Sequence, residues 1–261
     1  IEKVTAGFGD DSVKQLVYAF LVVESASNLL TKLLEWGRLA GYLEQSTRYI
    51  YFDQKDSKGN YCYYTPSNLK TGVCSEYRVH QAHMFGIYSD VVRSTTEFLR
   101  KNISEPSTKE ERSAWLAATR AQACDAARTL LPVATKSSVG IVAPAQSIEN
   151  LIYFLASHTL KEANAAAKDI LRESKKIIGA FLRQIESPAR GGAAIVFRQD
   201  TRAAIKELVL NIFKLKSFPI ASEKAVTLIN YWPKGDELNI LVPEMMFAEM
   251  QMPLQIIKNQ V

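Results

Sequence analysis

Three long stretches, Ser75 to Lys101, Lys109 to Leu131 and Lys161 to Ile185, carry apolar residues with the period of an α-helix, and this limits most strongly what the chain can become. Ser104-Glu105-Pro106-Ser107 breaks the first from the second. Glu110 and Glu111 fall in the first turn of the second, where carboxylates suit the helix dipole, and Pro132 ends it. Ala163, Ala165, Ala166 and Ala167 leave room for close helix packing in the third. The chain is 261 residues long, 47% hydrophobic and 23% charged, which allows one good-sized core and argues against disorder. The longest uncharged apolar runs, Val17 to Val23 and Leu151 to Ala156, fall far short of the roughly 20 residues a spanning helix needs. These observations predict a soluble, cytoplasmic or otherwise intracellular protein, with no membrane partner and no visible secretory signal. A start at Ile1 without Met is consistent with a fragment, a processed product or the ordered part alone.

The shorter elements fill in an α+β expectation. Asp11 or Ser12 caps a first helix running through Leu16, Ala19, Phe20 and Val23, and Asn28 to Trp36 continues with helical spacing. Tyr49-Ile50-Tyr51-Phe52 and Tyr61-Cys62-Tyr63-Tyr64 are rich in strand formers and flank a turn-rich segment, so they predict an antiparallel hairpin. Ser137 to Pro144 reads as a small-residue loop and Ser147 as the start of another helix. The expected domain is mostly helical with a small antiparallel sheet, over 1–189. Residues 190–261 form an extension: a helix from Asp200 to Phe213, a second hairpin from Ala225 to Tyr231 and Glu237 to Val242, and an apolar helix from Pro243 through Met252. No chemistry is legible in that extension.

Glu44-Gln45-Ser46-Thr47-Arg48-Tyr49 gathers an acid, an amide, hydroxyls and a guanidinium at an element boundary, after Gly37 and Gly41 have loosened the backbone. Arg48 can grip a phosphate with a fork of donors, and Ser46 and Thr47 can add hydroxyl donors. Glu44 only accepts, so it suits a ribose hydroxyl or an arginine rather than the phosphate itself. A helix end running into a strand with a solvated Arg48 is the simpler alternative.

The run Gly37-Arg38-Leu39-Ala40-Gly41-Tyr42-Leu43-Glu44-Gln45-Ser46-Thr47-Arg48-Tyr49 resembles the signature of the flavin-dependent thymidylate synthases: Arg-His-Arg, two residues, Ser, four residues, Ser, any residue, Arg-Tyr. Gly9-Asp10-Asp11-Ser12-Val13 is similar to that family's upstream Gly-His-Glu/Asp-Ser-Val segment. Ala127-Arg128-Thr129-Leu130-Leu131-Pro132 resembles its Ala-Arg-x-x-Leu-Pro. The three matches keep the family's order and span 7–160. The resemblance implies that Ser46, Arg48 and Arg128 hold the phosphate of dUMP with Glu44 beside them, and that Arg38 and Asn150 lie on the cofactor side. It further implies reductive methylation of dUMP to dTMP, with FAD as cofactor, NADPH and methylenetetrahydrofolate as co-substrates, and a homotetramer with sites between subunits.

The flavin side departs from the pattern. Trp36 and Gly37 stand where the family has Arg and His, and Gly41 replaces the first Ser. Near Asn150 the family carries a uracil-contacting Arg, and Leu155 or His158 falls there, depending on one gap. Leu34-Glu35-Trp36-Gly37-Arg38-Leu39-Ala40-Gly41 is closer to the first module of tandem relatives, and Leu228 to Glu237 resembles their bridge to a second module. Two functional readings follow: a flavin-dependent synthase whose missing groups come from a second module or subunit, or a non-catalytic nucleotide-binding or structural module of an assembly.

The remaining signals are weaker. Cys62, Cys74 and Cys124 have neither metal-ligand nor disulfide-framework spacing, and His80 with His83 lacks a third ligand. A net charge of +5 suits an anionic small molecule, and without a basic run or a recognised motif nucleic acid is a minor reading.

Overall fold

The computed structural model describes residues 11–213, 237–247 and 254–259. It divides into two compact units, 1–187 and 188–261.

The first unit is mostly helical around a three-stranded antiparallel sheet, as expected, but the strands are not the expected ones. The sheet comprises β1 (Tyr18–Ser27), β2 (Gly41–Glu44) and β3 (Lys136–Pro144), in the order β1-β3-β2. The segment expected to be the first helix is a short 3₁₀ turn, Asp11–Leu16, followed by β1. In β1, Ala19 and Leu21 are buried while Tyr18, Phe20 and Val22 are exposed, which is the two-residue period of a strand. Dense apolar composition had masked that alternation, whereas Tyr18, Phe20, Val22 and Val23 are all strand formers.

The expected small-residue loop is the central strand. Val139, Ile141 and Ala143 of β3 are buried, and its register pairs Phe20 with Val142 and Leu43 with Gly140. A Cβ added at Gly41 would come within 3.0 Å of Val142. The opposite face of the sheet leaves Tyr18, Phe20, Val22, Leu43 and Val142 exposed.

The aromatic hairpin does not form as two paired strands. Only isolated bridges join Lys55 to Tyr61 and Tyr63 to Thr135. The turn between the segments is organised by Asp56, which accepts from the backbone N–H groups of Lys58 and Asn60 at 2.8 and 2.9 Å. Phe52 and Tyr63 instead enter a core against Phe85, Tyr88 and Val92 of α2 (Thr71–Asn102) and Ala123, Cys124 and Ala127 of α3 (Lys109–Ala127). The ordering follows from the rings themselves, since Tyr61 stacks on Phe85 at 5.2 Å and Tyr63 meets Tyr77 edge-on at 6.2 Å.

A separate core lies under the sheet, where its buried face meets α1 (Asn28–Leu34), α4 (Ala145–Ala156) and α5 (Lys161–Leu182). Two buried polar links lock it. Glu162 of α5 accepts from both the N–H and the hydroxyl of Ser27 at 2.9 and 2.6 Å, while the Ser27 oxygen caps α1 by accepting from Leu30 N–H. Lys14 pairs with Glu149 of α4 at 2.7 Å, with both side chains almost fully buried.

In the second unit a π-helical turn, Pro188–Gly192, leads directly into α6 (Ala193–Phe213), so the helix expected from Asp200 starts earlier, at Ala193. Glu237 to Val242, expected as a strand, begins the helix α7 (Glu237–Phe247), with Pro243 inside it, and α8 (Leu254–Lys258) follows. Val209, Met246 and Ile257 form a small core there. The hairpin's other arm, Ala225 to Tyr231, and the stretch from 248 to 252 lie outside the described residues.

Candidate functional site

The polar loop leaves the end of β2 and is tied at once to the central strand. Gln45 N–H donates to the Ser138 carbonyl at 2.9 Å, and Ser137 donates its hydroxyl to the Gln45 carbonyl. The chain then turns through Ser46, whose Oγ accepts from Arg48 N–H at 3.3 Å. This aims Arg48 at the C-terminal end of α3. There the Arg48 Nε lies 3.3 Å from Asp125 Oδ1, and the Arg128 Nε lies 2.9 Å from the same oxygen.

Two guanidiniums 80 residues apart in sequence therefore converge on one carboxylate oxygen. The corner is half open to water, since the Arg48, Arg128 and Asp125 side chains are 55%, 39% and 51% exposed. Each arginine uses its Nε on Asp125, which leaves the terminal nitrogens of two forks for a further anion. Asp125 went unnoticed in the sequence. Its signal was present all the same, because an Asp three residues before an Arg lies beside it on a helix.

The other expected site residues are arranged differently. Glu44 is held by Lys32 at 2.8 Å and not by an arginine; the hydrogen bond that Lys32 donates to Glu44 raises the Lys32 pKa above its ordinary value. Near this corner Arg120 of α3, a further cation, lies over the Tyr51 ring at 5.2 Å in a cation–π contact. Arg38 is exposed after Trp36, and Asn150 is exposed on α4.

At the departing positions charge gives way to rings. Trp36 stacks on Phe154 with centroids 5.6 Å apart and planes 11° from parallel, and Phe154 meets His158 edge-on at 5.9 Å. Leu155 is fully buried, so of the two residues that could stand at the family's uracil-contacting position only His158 presents a side chain toward the surface. Leu160 N–H donates to His158 Nδ1 at 3.0 Å, which puts the proton of the neutral ring on Nε2. Phe154 was also not singled out in the sequence; it lies one turn after Asn150 on α4.

A cleft of about 340 Å³ between β1 and α5 is lined by Glu24, Glu162, Asp169, Arg172 and Glu173. Its groups already serve one another: Arg172 pairs with Asp169 and Glu173, and Glu162 holds Ser27. An acidic, self-satisfied cleft is a poor place for a phosphate. Cys124 is buried, Cys74 half-buried and Cys62 exposed, and His80 and His83 are exposed on α2. Among the described residues no helix is long and apolar enough to cross a membrane.

Comparison with known proteins places the chain. A UPF0159 protein of Chlamydia pneumoniae is 32% identical over 238 residues, covering 90% of this chain and 44% of that protein. One from Chlamydia muridarum is 34% identical over 218 residues, covering 83% and 39%. The chain thus spans less than half the length of these curated relatives. Among solved structures, thymidylate synthase X of Helicobacter pylori with FAD and dUMP is 18% identical, covers 71% of this chain and 79% of that one, and superposes with a TM-score of 0.39. Residues 1–178 match the thymidylate synthase complementing protein family, and the chain belongs to that family.

Proposed function

We propose that the chain binds dUMP through its phosphate at the Arg48–Arg128 corner, as part of a flavin-dependent thymidylate synthase that methylates dUMP reductively to dTMP. The observation that carries this reading is the convergence of both guanidiniums on Asp125 Oδ1. Two positive forks held side by side form a receptor for a dianionic phosphate, and Ser46 lies within the same turn. Anchoring a remote phosphate positions the pyrimidine without touching its reacting carbon, which is an effective use of binding energy. Glu44 lies at the mouth of the loop, where it can accept from a ribose hydroxyl once Lys32 gives way.

For FAD the residues present fit in part. The indole of Trp36 has an open face that suits a planar ring, and the exposed Arg38 suits a phosphate. A bound flavin would supply the hydride chemistry, with NADPH as reductant and methylenetetrahydrofolate as carbon donor. The chain's own residues would anchor and orient the nucleotide. The exposed apolar face of the sheet supports an oligomer or a second thymidylate synthase-like module as partner. Domain limits of 1–189 and 190–261 belong to the same proposal.

A second reading, a nucleotide-binding module without catalysis of its own, is favoured by the Trp36–Phe154 stack at the position where the family carries cations. Calorimetry with dUMP tests the shared core of both. Arg48→Ala and Arg128→Ala are each expected to weaken binding by about 1.5 to 3 kcal/mol, the scale of a charge-assisted hydrogen bond. Unchanged affinity in both variants would overturn the phosphate site, and turnover of dUMP by the isolated chain would rule out the non-catalytic reading.

A further inference from the structure

The sheet has two edge strands, and they are not alike. β2 is four residues long, whereas β1 has ten, with no proline, no lysine and Glu24 as its one charge. Folded proteins keep edges from pairing by making them short, charged, bulged or covered. β1 has only a bulge at Ser25, where φ is +59° and the register slips between Val23 and Ala26. The regular stretch before it, from Tyr18 to Glu24, is therefore an open template for a further strand.

The register fixes which backbone groups are on offer. Ala145 N–H donates to the Val17 carbonyl at 2.7 Å, and Pro144, opposite Tyr18, has no N–H to give. Bonded pairs in an antiparallel ladder fall on every second residue, so Ala19, Leu21 and Val23 turn their N–H and C=O toward β3. The bond from Gln45 N–H to the Ser138 carbonyl agrees, because it gives the even-numbered residues of β3 to β2. Phe20 and Val22 consequently point their N–H and C=O outward, and among the described residues no hydrogen bond reaches them there.

The cleft of about 340 Å³ lies on this same side. Leu21 to Ala26 form one wall and α5 the other, where Ala165 and Ala166 leave room, and no residue of β3 or β2 lines it. Glu24, Glu162, Asp169 and Glu173 bring four carboxylates to the lining against the single guanidinium of Arg172. Leu21, Leu30 and Ile170 supply apolar surface between them. A strand edge facing a helix across a groove is a geometry that holds extended peptides: the edge gives main-chain hydrogen bonds and the groove receives every second side chain. Here the charge selects lysine or arginine, whose aliphatic stems also suit the apolar lining.

We propose that the β1 edge and the cleft beside it form a docking groove for an extended, basic segment of a partner protein, which adds as a fourth strand. It bonds to Phe20 and Val22 and places alternate basic side chains among Glu24, Asp169 and Glu173. The groove shares no residue with the site proposed for dUMP.

The test uses the full chain and a capped, fluorescein-labelled hexapeptide, Lys-Val-Lys-Val-Lys-Val, followed by fluorescence anisotropy. Two further versions are N-methylated, one on its valines and one on its lysines. Every second N–H of a guest strand faces β1, so one version should bind like the parent and the other about tenfold more weakly. Glutamate in place of each lysine should abolish binding. On the protein, Val22→Pro removes an outward N–H that the sheet does not use and should also cost about tenfold. Glu24→Lys, at an exposed side chain, should cost about threefold to tenfold and leave folding intact. Amide exchange at Phe20 and Val22 should slow in the saturated complex, a readout that needs no variant. The proposal is overturned by no binding of the basic peptide at millimolar concentration, by equal affinity of all three lysine peptides, by the acidic peptide binding as tightly, or by unchanged exchange at both amides. Sedimentation of the chain alone completes the test: a dimer that Val22→Pro dissociates would assign the edge to a second copy and likewise overturn it.

Discussion

Around Asp125 two guanidiniums sit 2.9 and 3.3 Å from one oxygen, half in water, while around Trp36 three rings lean on one another, and among the described residues Arg38 beside them makes no ion pair. Both regions lie where the resemblance implies ligand contacts. The first holds its positive charge ready by means of an internal carboxylate, and its strength depends on the surrounding electrolyte. The second has exchanged charge for area and shape, which salt hardly touches. The anion site proposed in the first region and the ring stack of the second should therefore respond differently to the same disturbance.

The largest expected difference comes from removing both arginines. Arg48→Ala with Arg128→Ala should cost dUMP about 3 kcal/mol or more by calorimetry, yet less than the sum of the single changes, because the two share Asp125. Riboflavin binding should be unaffected. Next is salt: raising NaCl from about 50 to about 500 mM should weaken dUMP roughly tenfold and riboflavin less than about twofold, as read by dialysis. A parallel loss of both would show that charge governs both regions.

Asp125→Asn probes the internal counter-anion. The carboxylate competes for the donors that a phosphate would take, so its removal should tighten dUMP, by no more than about 1 kcal/mol at so exposed a pair. Weaker binding would instead make Asp125 chiefly a positioning group. The smallest effect concerns Lys32 and Glu44. The Lys32 pKa is raised, first by the hydrogen bond it donates to Glu44, so the pair's contribution is fully present below the ordinary lysine value near 10.5 and is lost as pH rises through the higher folded value. Solvent screening limits it to about 0.2 to 1 kcal/mol. Thermal unfolding between pH 9 and 12 should show that slope, and Glu44→Gln should flatten it.

The helices could be read from the sequence because their signals are local. Asn28–Leu34, Thr71–Asn102, Lys109–Ala127, Ala145–Ala156 and Lys161–Leu182 all stand close to where apolar period, the break at Ser104 to Ser107 and Pro132 put them. The sheet could not. Whether Ser137 to Pro144 is a loop or a strand depends on partners more than 100 residues away in β1, and no window around Gly140 contains that information. The same holds within the site. Ser46, Arg48 and Arg128 stood out by residue type and motif, whereas Asp125 and Phe154 have their roles only because a loop and a turn distant in sequence come to rest against them.

The order β1-β3-β2 also constrains time. The two strands made first, at 18–27 and 41–44, do not pair with each other, and each waits for a strand that ends at Pro144. Closing contacts over such separations is slow compared with forming the helical hairpin of α2 and α3, which only a short segment joins. During synthesis the helical layer can therefore settle first, with the apolar residues of β1 held in an unpaired strand until residues 136–144 emerge. The Arg48 loop hangs from the last of these pairings through Gln45 and Ser138, so the proposed anion site is completed only when the middle of the sheet arrives.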